Sequence, residues 1–145
     1  MHEKTERNLG LELARATEAA ALAAGQWAGR GETHVADTAA TQAMRQVLNT
    51  IHMEGQLVIG EETRHPDYLD VLTTGEKVGD GRHPAVDVVV NPVEGIRLLA
   101  EGLPGVLSVA AAAPKGALRS FAPAAYMEKL VVSREVAMAL TPKCL

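Results

Sequence analysis

The sequence predicts an α/β domain of the layered α+β kind, in which helices pack on a mixed β-sheet. Two helical patterns come first along the chain, and several short apolar segments typical of buried strands follow, with one helical interruption. Helices followed by strands in this order favour a layered architecture. A length of 145 residues suits one domain, so we assign residues 1–145 to a single domain.

Two helices are predicted in the first third of the chain. Apolar residues recur at spacings of three and four over residues 5–28, which is the period of one helix face. The run Gly29-Arg30-Gly31 ends this helix. Asp37 stands at an N-cap position for the second helix, which we expect to continue to about His52.

The strands are predicted after Gly55. Residues 56–60 form a short buried strand, and residues 86–90 form a stronger one because four of the five are valine. Asn91-Pro92 is expected to terminate that strand, and residues 93–101 are predicted to form a helix.

The second half of the chain predicts further strands. Residues 107–113 are expected to form one strand, and Pro114-Lys115-Gly116 a hairpin turn after it. Residues 117–121 are then expected to pair back with that strand. Another strand is predicted over residues 127–133. Residues 61–68 are predicted as a loop and residues 76–81 as a turn-rich segment.

Composition and charge exclude several classes of protein. A net charge of -4 argues against binding to a nucleic-acid backbone, which needs a surplus of Lys and Arg. A single cysteine excludes a disulfide framework. The sequence holds no apolar run of about 18 residues and no signal-peptide pattern at its start, so we predict a cytoplasmic protein with no membrane partner.

Acidic residues recur where a strand ends or a helix begins: Asp37, Glu61, Glu62, Asp87 and Glu94. Ligand sites of α/β folds lie at such positions. Carboxylates that converge there would bind a hard cation such as Mg²⁺, and two cations could orient water and neutralise a leaving phosphate. Each acid also has a structural interpretation, Asp37 as a helix cap and Asp87 as a hydrogen-bonded acid within a strand. Spacing alone leaves both interpretations open.

Several short motifs follow one another in a fixed order along the chain. They are Ala36-Asp37, Val58-Ile59-Gly60-Glu61, Gly75-Glu76-Lys77-Val78-Gly79, Ala85-Val86-Asp87, Asn91-Pro92-Val93-Glu94-Gly95 and Tyr126-Met127-Glu128-Lys129-Leu130. Together they resemble the N-terminal half of the class II (bacterial) fructose-1,6-bisphosphatases over about residues 8 to 133. The resemblance implies the fold of the lithium-sensitive sugar and inositol phosphatases. It also implies hydrolysis of the 1-phosphate of fructose 1,6-bisphosphate with Mg²⁺ or Mn²⁺.

The resemblance also implies roles for individual residues. Asp37, Glu61 and Glu94 would be metal ligands, provided that a metal site survives, and Tyr126 would touch the sugar phosphate. The candidates for further substrate contacts are Arg82, Lys129, Asn91 and His65.

Four departures from the family pattern concern the same reaction. Asn91 stands where the family has a metal-bridging aspartate, and Ile96 stands where it has a threonine that helps to position the attacking water. The segment after Gly60 contains Arg64 instead of alternating glycine and glutamate. The sequence ends at Leu145, whereas the family continues with a second half that supplies another glutamate and basic groups. We therefore predict that ordinary phosphatase catalysis is lost and that Mg²⁺ or Mn²⁺ binds weakly or not at all.

Three functions remain open at this point. The first is a repurposed enzyme of specialised metabolism that rearranges, cyclises or hydrolyses a small molecule by acid–base chemistry. Its candidate catalytic acids and bases are Asp37, Glu61, Glu62, Asp87 and Glu94. The second is a residual Mg²⁺- or Mn²⁺-dependent sugar-phosphate phosphatase that oligomerisation completes, and the third is a non-catalytic binding or regulatory subunit. Under all three we predict an open apolar face and a homodimer or higher homo-oligomer.

Overall fold

The computed structural model describes residues 8–62, 71–120 and 131–137. The strands form one sheet in the order β2-β1-β3-β4, in which β1 and β3 are parallel and the two outer pairings are antiparallel. The predicted class, helices on a mixed sheet, is therefore confirmed. The elements in chain order are α1 (Leu9–Gly25), α2 (Thr33–Leu48), β1 (Glu54–Ile59), β2 (Lys77–Val78), β3 (Ala85–Glu94), α3 (Ile96–Glu101), β4 (Leu107–Pro114) and α4 (Arg134–Ala137).

Helices α1 and α2 cover one face of the sheet. The side chain of Asn8 begins α1 by accepting hydrogen bonds from the backbone N–H groups of Gly10 and Leu11. Small side chains let the two helices approach closely. The buried residues of the two helices are Leu13, Ala16, Ala20 and Ala24 in α1 and Ala36, Asp37, Ala40, Thr41, Met44 and Leu48 in α2.

Helix α2 begins earlier than predicted, at Thr33, so the prediction that Asp37 is an N-cap is wrong. Gly31, with a φ of 75°, turns the chain just before the helix. The backbone N–H groups of Gly29 and Gly31 are held by the carbonyl oxygens of Leu99 and Ala100 in α3. Because this turn is complete at residue 31, helical geometry starts at once and Asp37 lies inside the helix, on its buried face.

The segment predicted as turn-rich contains the short strand β2. Gly55 of β1 pairs with Val78, and Gln56 pairs with Lys77. The turn after β2 depends on Gly79, which has a φ of 92°. A Cβ atom at that position would lie 2.1 Å from the carbonyl oxygen of Met53, so only glycine fits against the start of β1.

Strand β3 continues past the predicted stop at Asn91-Pro92 and ends at Glu94. Asn91 pairs with Val109 and Glu94 pairs with Leu107, so two residues of β3 lie opposite one residue of β4 between these pairs. This irregularity accommodates Pro92, whose missing N–H would interrupt a regular ladder. It also keeps Asn91 and Glu94 on one continuous strand. Helix α3 starts later than predicted, after Gly95.

The predicted strand over residues 107–113 is confirmed as β4, and a turn follows it at residues 115 and 116. The prediction that residues 117–121 pair back is wrong for residues 117–120, which form no strand. The backbone N–H groups of Gly116 and Leu118 instead donate to the carboxylate of Asp87, which draws the chain away from the edge of β4. Of the predicted strand 127–133, residues 131–133 form no strand, and the rest lies outside the described residues.

Within the residues that the structure describes, no helix is both long and apolar enough to cross a membrane.

Candidate functional site

The acids predicted as ligands lie at one edge of the sheet. Strands β1 and β3 are parallel, so Glu61, which follows β1, and Glu94, which ends β3, lie at the same edge. Helix α2 carries Asp37 and Thr41 on its buried face, and Thr41 contacts Glu61 at that edge. The structure therefore brings Asp37 and Glu61 together, with Asn91 and Glu94 at the end of the neighbouring strand.

Glu61 is buried and held by two neighbouring elements. Its Oε2 atom accepts a hydrogen bond from the hydroxyl of Thr41 at 3.2 Å and another from the backbone N–H of Leu72 at 3.3 Å. Its own backbone N–H donates to the carbonyl oxygen of Leu72 at 2.8 Å. Backbone and side chain of Glu61 are thus both tied to residue 72, and the side chain is tied to α2 as well.

The surroundings of Glu61 favour its protonated form. Burial, which disfavours a charged carboxylate, is the largest effect, and the nearby negative charge of Asp37 adds to it. The hydrogen bonds from Leu72 and Thr41 and the positive charge of Arg45 act in the opposite direction. The net result raises the pKa of Glu61 from 4.5 to about 7.

At the end of β3 an amide meets a carboxylate. The side-chain nitrogen of Asn91 donates a hydrogen bond to Oε2 of Glu94 at 2.5 Å. An asparagine amide carries no charge, and here its donor group is directed at an oxygen that could otherwise bind a cation. The position that the family resemblance assigns to a bridging anion is therefore occupied by a neutral hydrogen-bond donor.

These residues do not fit a site for two metal ions. In the described parts of the chain, no three Asp, Glu, His or Cys side chains form a group that could hold a metal ion. Mg²⁺ can be bound by one or two carboxylates when water and substrate phosphate supply the other ligands. Asp37 and Glu61 could supply two carboxylates for one such ion. A second ion would need a further negative charge, which the neutral amide of Asn91 does not supply. The roles of Asp37, Glu61 and Glu94 as metal ligands stay predictions.

Glu62 points to the segment before β2. Both of its carboxylate oxygens accept a hydrogen bond from the backbone N–H of Thr74 at 3.1 Å. Partial burial opposes ionisation, but the hydrogen bonds from Thr74 outweigh it and hold the pKa of Glu62 below its ordinary value. A carboxylate that remains ionised and tied to the backbone suits an anchor for the 72–74 segment; its predicted catalytic role stays a prediction.

Asp87 anchors the turn after β4. Its Oδ2 atom accepts from the backbone N–H groups of Gly116 at 2.7 Å and Leu118 at 3.2 Å, and Lys115 Nζ lies 3.3 Å from Oδ1. Burial opposes ionisation of Asp87, but these donors hold its pKa below the ordinary value. Asp87 precedes Asn91 by four residues, or about 13 Å along a strand. The structure therefore gives Asp87 a structural role away from Glu61, and its catalytic role stays a prediction.

The predicted substrate contacts are dispersed. Arg82 precedes β3 and lies at the opposite edge of the sheet, where its Nε atom is 3.5 Å from Oδ2 of Asp80. His52 also contacts Asp80 there. The structure does not bring Arg82 to the edge that holds Glu61 and Glu94. Asn91, also predicted as a substrate contact, lies at the same edge as Glu94, and its role in binding substrate stays a prediction. The remaining predicted contacts lie outside the described residues; they are His65, Tyr126 and Lys129.

Three groups near Glu61 were not predicted from the sequence: Thr41, Arg45 and the backbone N–H of Leu72. Thr41 follows Asp37 by one helical turn, and a polar residue at that spacing on an apolar face is a signal that could have identified it. Arg45, one turn further, donates from Nε to Glu76 at 3.0 Å and from Nη2 to the carbonyl oxygen of Val71 at 2.7 Å. No sequence signal indicates the N–H of Leu72, because its contact depends on the path of the backbone.

Comparisons with known proteins add a family likeness to this geometry. The sequence matches the family described as bacterial fructose-1,6-bisphosphatase, glpX-encoded, over residues 7–143. It is 48% identical over 126 residues to fructose-1,6-bisphosphatase 1 class 2 of Escherichia coli K12 and, to the same extent, to fructose-1,6-bisphosphatase class 2 of Shigella flexneri. Each alignment covers 87% of this chain but 37% of the relative, so the chain spans little more than a third of the length of these relatives.

Proposed function

The chain belongs to the bacterial, glpX-encoded fructose-1,6-bisphosphatase family, and from this premise we propose that it is a repurposed small-molecule enzyme in which ordinary metal-dependent hydrolysis of fructose 1,6-bisphosphate is lost. The observation that supports the proposal is the hydrogen bond from the Asn91 amide to the Glu94 carboxylate. The proposed enzyme is cytoplasmic and belongs to specialised metabolism.

The argument for lost hydrolysis is electrostatic. Two divalent cations in a catalytic pair lie about 3.5–4 Å apart and repel each other strongly, so their site needs anionic ligands between them. Asn91 contributes a neutral amide at the position of the bridging anion, and its donor group is engaged with Glu94. Ile96, which cannot hydrogen-bond through its side chain, follows in α3. Both changes weaken the same two-metal chemistry.

The residues that remain suit proton transfer. Asp37 and Glu61 are buried carboxylic groups at the edge of the sheet where α/β folds bind ligands. A buried carboxyl group with fixed geometry can donate or accept a proton at a bound substrate. We therefore assign acid–base rearrangement, cyclisation or hydrolysis of a small molecule to this edge, with Asp37 and Glu61 as the groups that move the proton.

The experiment measures phosphate release from fructose 1,6-bisphosphate with Mg²⁺ or Mn²⁺, together with thermal unfolding at increasing Mn²⁺. For the unchanged protein we expect no release above the background rate and little stabilisation by Mn²⁺. Asn91→Asp, alone and with Ile96→Thr, should gain stabilisation by Mn²⁺, which reaches about 2.7 kcal/mol at 100 times the dissociation constant.

The matched control is Asn49→Asp, which adds the same charge at the exposed end of α2. It should leave the response to Mn²⁺ unchanged. Robust turnover by the unchanged protein would refute the proposal, and so would equal stabilisation by Mn²⁺ of the unchanged protein and of Asn91→Asp.

A second candidate is a residual Mg²⁺- or Mn²⁺-dependent sugar-phosphate phosphatase completed by oligomerisation. It is favoured by the burial of Asp37 beside Glu61, because two adjacent buried carboxylates are stabilised by a cation. The same assay separates the candidates, since this one requires metal-dependent phosphate release that rises with protein concentration.

A further inference from the structure

Thr41 lies on the buried face of α2, between Asp37 one turn before it and Arg45 one turn after it. Its side chain is fully buried, with Ala40 beside it and Met44 on the next turn of the buried face. Threonine within a helix commonly donates its hydroxyl to a backbone carbonyl of the preceding turn. Here the hydroxyl donates to Glu61, which is 20 residues away in the chain. The hydroxyl is therefore used for a contact between elements.

The contact restrains one particular oxygen. The hydroxyl of Thr41 and the backbone N–H of Leu72 both donate to Oε2 of Glu61. The two donors come from different parts of the chain, one from α2 and one from the segment before β2. Two donors on one oxygen fix both the position and the plane of the carboxyl group.

From this geometry we infer that Thr41 is a positioning residue that sets the orientation of Glu61 relative to Asp37. Asp37 and Thr41 are one turn apart on the same helix, so the hydrogen bond links the Glu61 carboxyl group to the helix that carries the other buried acid. The inference rests on the proposed function, which assigns the proton transfer to Asp37 and Glu61. Thr41 itself acts only through Glu61.

Packing alone does not account for a threonine at this position. Valine has nearly the same shape as threonine, with a methyl group in place of the hydroxyl. A buried hydroxyl costs free energy unless it is hydrogen-bonded, whereas a buried methyl group does not. The apolar neighbours in α2 would accept valine. The hydroxyl is thus explained by its acceptor, Glu61.

The test compares Thr41→Val, Thr41→Ala and Thr41→Ser by ¹³C NMR of protein labelled at the glutamate side-chain carboxyl carbon. Glu61→Gln identifies the Glu61 resonance. At one fixed pH, Thr41→Val and Thr41→Ala should shift the Glu61 resonance by more than its linewidth. Thr41→Ser, which keeps the hydroxyl, should leave it within a linewidth of the unchanged protein. The resonances of Glu12 and Glu62 should stay in place in all three variants.

Thermal unfolding of the same variants separates positioning from packing. Thr41→Ser loses a buried methyl group and should lower Tm, yet its Glu61 resonance should stay in place. Thr41→Val should fold, and its Glu61 resonance should still shift. An unchanged Glu61 resonance in Thr41→Val and Thr41→Ala, or an equal shift in Thr41→Ser, would overturn the inference. The phosphate-release and Mn²⁺ measurements are independent of this spectrum, so failure of either proposal can be recognised separately.

Discussion

At the scale of single residues, the acids predicted as a group have different surroundings. Asp37 and Glu61 are buried side by side, Glu62 is tied to Thr74, and Asp87 holds the turn after β4. The residue types could be selected from the sequence because carboxylates at strand ends and helix starts are typical of ligand sites. Their separate roles could not be predicted from the sequence, because each role depends on backbone N–H groups from distant parts of the chain.

The pH dependence of stability should report the surroundings of Glu61. The native protein keeps the Glu61 proton up to a pH of about 7, whereas the unfolded chain releases it near the ordinary value of 4.5. The native state therefore binds more protons between these values, and the free energy of unfolding should fall as pH rises through this range. Between about pH 5 and pH 8, the free energy of unfolding of Glu61→Gln should therefore fall by roughly 2–3 kcal/mol less than that of the unchanged protein.

The measurement is denaturant unfolding at a series of pH values, with Glu62→Gln as the control. Glu62 is ionised in both states over this range, so its variant should keep the slope of the unchanged protein. The groups that face Glu61 are Asp37, Thr41, Arg45 and the N–H of Leu72. An identical slope in Glu61→Gln and the unchanged protein would contradict the prediction.

At the scale of elements, alanine sets the distance between α1 and α2. Ala16, Ala20 and Ala24 form the buried face of α1, which packs on α2. The period of three and four residues predicted this helix and its buried face, although α1 ends at Gly25, before the predicted residue 28. The start of α2 could not be predicted because the turn before it is held by α3.

Enlarging a side chain in this interface should destabilise the fold. Ala20 is fully buried between the helices, so Ala20→Leu has to separate them and should cost about 1–3 kcal/mol. Ala21→Leu makes the same change on the exposed face of α1 and should stay within about 0.5 kcal/mol. Thermal or denaturant unfolding compares the two variants, and equal effects would show that the close helix packing is not required.

At the scale of the whole molecule, the sheet face opposite α1 and α2 exposes apolar side chains. Ala110 and Ala112 of β4 pack on the core, so Leu107 and Val109 lie on the other face, where they are 61% and 46% exposed. Ile59 of β1 is 37% exposed and pairs with Val89 in the sheet register. Exposed apolar faces are typical of interfaces, and we propose that a second copy of the chain covers this one.

Charge introduced on this face should separate the copies. We expect the unchanged protein to be a homodimer or higher oligomer at micromolar concentration, and Leu107→Lys with Val109→Lys to shift it to a monomer, as measured by light scattering. Leu22→Lys, on the exposed face of α1, is the control and should leave the mass unchanged. A monodisperse monomer of the unchanged protein would exclude this interface.

The sequence by itself determined the class of fold, most of the helices and strands, and the acids from which the candidate site is formed. These features are local, because periodicity, β-branched runs and short motifs act over a few residues. Only the tertiary structure decided that Asp37 lies inside α2, that Thr41 and Leu72 hold Glu61, and that Asp87 anchors a turn 29 residues further along the chain. The physical reason is that a buried polar group takes the donor that the packed chain places beside it, and sequence spacing does not encode that neighbour.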